Sequence, residues 1–133
     1  MNLTKYSKHK LQNKMASYEV DKDFADPIYN YLVHGFNPGS FFTSVLANDF
    51  MDAIARSHPA NTIKALKKLV CFIVNEMPHG ITHGSYEVVD AWTKMTMEER
   101  RKILEECRLV FTEQEEIMKV LKDEPTNDPN FMW

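Results

Sequence analysis

The chain has 133 residues, a length that suits one domain and is short for two. Hydrophobic residues make up 44% and charged residues 26%, a balance that excludes a wholly disordered chain. The net charge of −3 argues against specific nucleic-acid binding, where phosphate contacts dominate affinity. That charge is uneven: residues 1–22 carry five lysines against Glu19 and Asp21, whereas residues 96–133 carry ten acidic and six basic groups. The longest apolar run, Leu69 to Val74, is too short to cross a bilayer, and Met1–Lys14 lacks the apolar stretch of a secretory signal. Cys71 and Cys107 are far apart and suit a reducing, cytoplasmic setting without a structural disulfide.

In chain order, residues 1–24 form a basic arm, partly helical or mobile, in which Leu11, Met15 and Tyr18 recur at helical spacing. Asp26-Pro27 reads as an N-cap and first helical residue, opening a short helix that buries Ile28, Tyr31 and Leu32 and stops at Gly35. Asn37-Pro38 repeats the start signal and predicts a helix to about Arg56, with Phe42, Leu46, Asp49 and Ala53 on one stripe. Ser57-His58-Pro59 ends it and starts the next, whose buried face reads Ile63, Leu66, Leu69, Val70, Ile73 and Met77. A loop over residues 78–84 leads to an N-cap at Ser85 and a helix carrying Val88, Val89 and Trp92. Thr96 and Glu99 form a capping box.

The last helix is expected from Met97 to about Lys122, with Ile103, Cys107, Val110, Gln114, Ile117 and Leu121 on a heptad-like stripe. This stripe packs on its own domain or supports a homo-oligomer through residues 97–122. The expected fold is all-α: a helical bundle of about five helices over residues 25–122, followed by an irregular tail, residues 123–133.

Three sets of residues could carry function. At Asn37-Pro38-Gly39-Ser40, a helix start offers free N–H groups to an anion, with Gly39 allowing close approach and Ser40 adding a hydroxyl; the alternative is a tight helix–helix turn. Asp49, beside Asn48, falls on an apolar stripe, where a carboxylate must meet a cation, donors or a ligand; Arg56 and His58 are candidate partners. Of the histidines, His79 and His83 lie four apart in a loop, without the converging spacing of a metal site. No metal, cofactor or nucleophile elbow is expected, and both cysteines read as buried, inert thiols.

The segment Tyr31–Phe50 contains Pro38-Gly39-Ser40-Phe41-Phe42 and Asn48-Asp49. With Arg56, Asn61, Asn75-Glu76-Met77-Pro78, Gly84-Ser85 and Trp92, it resembles a group of small helical proteins encoded by bacteriophages and prophages. The resemblance spans about residues 27–95. It implies an accessory protein acting against host defence, either by sequestering a nucleotide signal or by binding a host protein.

The favoured reading is a non-enzymatic binder of a small anionic, nucleotide-type ligand. Gly39 and Ser40 would hold phosphate after Pro38; Asn48, Asp49 and Asn61 would hydrogen-bond to sugar or base; Phe41 or Trp92 would stack; Arg56 and His58 complete the set. The alternative is a protein–protein inhibitor or adaptor that lays its long helix on a host protein. A hydrolase using Asp49 with a histidine is the weakest reading, because catalysis needs several positioned groups.

Overall fold

A computed structural model describes residues 3–110 together with 114, 115 and 118. Among the described residues the fold is all-helical, with no strand. Its elements are α1 (Leu3–Ser17), α2 (Lys22–Tyr29), a π-helical turn (Asn30–His34), α3 (Ser40–Leu46), α4 (Phe50–Arg56), α5 (Ile63–Glu76), α6 (Tyr86–Lys94) and α7 (Met97–Glu106). None of the described helices is long and apolar enough to cross a membrane.

The N-terminal arm is not a loose appendage. Leu11 and Met15 of α1 are buried, and the core cluster continues through Phe24, Ile28, Leu69, Phe72 and Trp92 to Val110. Tyr18 stands edge-on to Phe72 and donates a 2.5 Å hydrogen bond to Glu76, fastening the end of α1 to α5.

Several helix starts fall where local chemistry puts them. Ser85 accepts from the Val88 N–H, and Thr96 and Glu99 form the expected reciprocal box. The start of α2 lies earlier than Asp26-Pro27. Asp21 is the N-cap, and Pro27 sits inside the helix. Thr62, rather than Pro59, caps α5. On α5 itself, Ile63 and Val70 are exposed and Phe72 is buried in the core.

The larger differences are helix stops. The helix expected over Pro38–Arg56 is two seven-residue helices broken at Asn48, which takes a left-handed φ of +63°. The Asn48 N–H donates to the Val45 carbonyl and the Asp49 N–H to the Ser44 carbonyl, the paired bonds of a Schellman ending. The helix expected over Met97–Lys122 stops at Glu106 in the same way. Arg108 has φ +64°, its N–H donates to Glu105, and the Leu109 N–H reaches Leu104, both leucines being buried. Glu19 ends α1 by the same geometry, with buried Met15 and Val20 in contact positions. The apolar stripe of α7 therefore turns into the protein's own core through Leu104, Leu109 and Val110. Ile117, Leu121 and the 123–133 tail lie outside the described residues.

One buried polar cluster locks α7 against the π-helical turn. Arg100 is 5% exposed, and its guanidinium donates to the carbonyls of Val33 (3.2 Å), Trp92 (3.5 Å) and Met95. A cation at two helix C-termini gives donors to their last carbonyls, the Trp92 carbonyl also taking the Met95 N–H (3.2 Å). Gly35, at φ +67°, faces this group: a Cβ there would lie 2.5 Å from Arg100 Nη1.

Candidate ligand cavity

The break at Asn48 creates the site. Because α3 stops there, Asp49 becomes the N-cap of α4 instead of a residue on a continuous apolar stripe. Its carboxylate is half-buried. One oxygen accepts from the Asp52 N–H (3.3 Å) and the other from the Tyr86 hydroxyl (2.6 Å). The bond to Asp49 pushes the Tyr86 phenol above its ordinary pKa. Arg56 pairs with Asp52 at 2.8 Å, one turn before it, and not with Asp49. The buried Ser44 hydroxyl bonds the same Asp52 carboxylate. These two contacts, Ser44 first, hold the Asp52 carboxyl below the usual carboxylate range.

Behind Asp49 lies a cavity of about 370 Å³ between the α3–α4 pair and α5. Leu46 and Ala53 form one wall and Leu66, Leu69 and Ile73 the other. Asn48, Asp49, His79 and His83 supply the polar groups, and the lining contains no lysine or arginine. This is the usual composition of a small-molecule site: apolar walls with a few convergent polar atoms.

The 78–84 loop closes one end. The Gly84 N–H donates to the Leu46 carbonyl (2.7 Å), and the Gly80 N–H to the His83 carbonyl (2.8 Å). The His79 and His83 rings meet edge to face at 5.3 Å. The buried Thr82 hydroxyl donates to the Pro78 carbonyl (3.0 Å) and lies 3.1 Å from His83 Nδ1. With its single hydrogen committed, that hydroxyl accepts from Nδ1–H. The hydrogen-bond network thus assigns His83 the tautomer with Nε2 as an acceptor. Burial, and then neighbouring His79, push the His83 pKa down and favour the neutral ring.

A second, more open depression of about 440 Å³ lies beside α3 and α4 and is polar. Gly39, Ser40, Ser44, Asp52, Arg56 and Tyr86 are among its lining residues. Asn37 Oδ1 accepts from the Gly39 N–H (2.8 Å), and Gly39 has open space around it. Its φ of +92°, rather than close packing, is what calls for glycine. The helix it opens is only seven residues long, and Arg56 is already paired with a carboxylate. Phosphate placed here would face Asp52.

The expected site residues therefore divide among five places. Gly39, Ser40 and Arg56 line the polar depression, and Asn48 and Asp49 the apolar cavity. Pro38 is half-buried just before α3. Trp92 is fully buried in the core with its indole N–H on the Tyr31 carbonyl (3.0 Å), and Phe41, half-buried, packs against that core through Phe24 and Phe42. His58 and Asn61 build the α4–α5 turn: His58 Nδ1 accepts from the Ala60 N–H and the His58 carbonyl from the Asn61 N–H. Tyr86, His79 and His83 join the site without having been among the expected ligand contacts. The four-residue histidine spacing was visible in the sequence, but its direction was not. Both cysteines are half-buried; burial raises the Cys107 thiol pKa. Among the described residues no group of three or more metal-ligating side chains converges.

Comparison with protein-family models, curated proteins and solved structures finds no match to this chain.

Proposed function

We propose that this chain is a non-enzymatic protein that binds and sequesters a small ligand, with the cavity between α3–α4 and α5 as its site. The observation that carries the reading is the cavity itself: about 370 Å³, walled by leucine and isoleucine, with Asp49 and two imidazoles in its lining. The setting we propose is the one expected from the sequence, a phage-type accessory protein that withdraws a nucleotide-type signal. The pairing of Arg56 with Asp52 weakens the expectation that phosphate is the principal handle. The buried course of the α7 stripe through Val110 likewise weakens the adaptor alternative.

Native mass spectrometry of protein purified without denaturation tests the proposal. A bound small molecule is expected, and it should be lost in Ala53→Leu, which fills the cavity from a buried wall position. A bare protein that also fails to take up apolar probes would sink it.

A further inference from the structure

The chemistry of the cavity says what kind of ligand it fits, granted the reading above. We infer that the occupant is a neutral nitrogen heterocycle of nucleobase size, entering ring-first and presenting N–H donors to Asp49 and His83. Three observations converge on this class.

The first is acceptor excess. Asp49 receives the Asp52 N–H and the Tyr86 hydroxyl, yet an ionised carboxylate has about four lone-pair positions. His83, with Nδ1–H committed to Thr82, offers Nε2 as an acceptor. Asn48 is the one lining side chain that brings amide donors as well as an acceptor. A ligand rich in donors matches this set, and an edge carrying both donor and acceptor matches the Asn48–Asp49 pair.

The second is charge. The lining holds one carboxylate and no lysine or arginine. An anion entering this apolar space would lose hydration and meet a like charge.

The third is the mouth. Phe50 and Val74 line the cavity, yet they are 69% and 64% exposed. Large apolar side chains left open at the rim of an apolar cavity suit the face of a flat ring, and Phe50 can stack on it. An aliphatic chain would use the walls but leave the spare acceptor positions of Asp49 and His83 unused; a nitrogen heterocycle uses both.

Isothermal titration and thermal shift of the full chain with adenine, cytosine, adenosine and adenosine 5′-monophosphate test the assignment, with toluene followed by saturation-transfer NMR as the apolar control. At least one base or nucleoside is expected to bind, and the phosphate should bring no gain. Asp49→Asn keeps an N-cap and should weaken binding about tenfold with little change in Tm. Phe50→Ala, at an exposed position, should weaken it about fivefold. Toluene binding without binding of any base would overturn the ligand class and leave the cavity proposal standing. No binding of either would overturn both. A monophosphate at least tenfold tighter than its nucleoside would overturn the neutral-ligand assignment in favour of an anion site.

Discussion

Two polar groups stand at helix ends in this fold, and they are opposites. Arg100 is buried, and its guanidinium is spent on carbonyls at the ends of the π-helical turn and α6. Asp49 is half-buried, holds two donors, and opens onto the cavity. A buried cation that donates to backbone at two helix ends fixes packing; a carboxylate with spare acceptor capacity beside an apolar space can recognise a ligand. Burial alone, or unusual placement in the sequence, does not separate these roles. Whether the group lines a cavity does.

The sharpest way to break the comparison is to swap the roles. Arg100→Met should cost about 3 kcal/mol in chemical denaturation, because buried carbonyls lose their donor, while the ligand site stays formed. Gly35→Ala attacks the same clasp from the other side. Strain at φ +67° and the encounter with Arg100 should cost about 2 kcal/mol. The two changes should be less than additive, since each disrupts one contact. At the opposite pole, Asp49→Ala should cost only about 1 kcal/mol as a lost N-cap, yet abolish ligand binding. Equal stability losses at Asp49 and Arg100 would erase the distinction.

The smallest effect concerns pH. His83 has a folded pKa below its unfolded value of about 6.5. The unfolded chain therefore binds more protons, and stability is full above that pH and declines as pH falls below it. Thermal melts between pH 7.5 and 5 should show this decline, roughly within the ordinary histidine range, and His83→Gln should flatten it. An unchanged slope in the variant would assign the decline to other groups.

The helix beginnings at Ser85 and Thr96 were legible in the sequence; those of α2, α3 and α5 fall at Asp21, Gly39 and Thr62 instead of Asp26, Asn37 and Pro59, and several helix endings were not legible. Ser85, Thr96 with Glu99, and Gly35 announce themselves because their chemistry is local: an oxygen for a free N–H, a glycine for a left-handed turn. Glu19, Asn48 and Arg108 adopt the same left-handed state without glycine. At Glu19 and Arg108 a buried apolar pair, four residues before and one after the left-handed residue, brackets the turn, Met15 with Val20 and Leu104 with Leu109. Such pairs are indistinguishable in sequence from the next turn of an amphipathic helix. The error at Asn48 propagated, since a continuous helix puts Asp49 on an apolar stripe. Asp49 does stand in the cavity lining, but as the N-cap of α4 and not as part of an apolar stripe. Its partner Tyr86 comes from another helix, and no spacing rule connects residues 49 and 86.

The bond from the Gly84 N–H to the Leu46 carbonyl has a kinetic consequence. It closes a long chain loop containing α4 and α5, and both walls of the cavity lie within or at the ends of that loop. Such non-local closure costs chain entropy before its contacts repay it, so the site belongs to the late, slow part of folding. A ligand that binds only the closed loop leaves the refolding rate unchanged and slows unfolding. The Gly84 amide, exchanging with solvent when the loop opens, is a position at which that slowing can be timed.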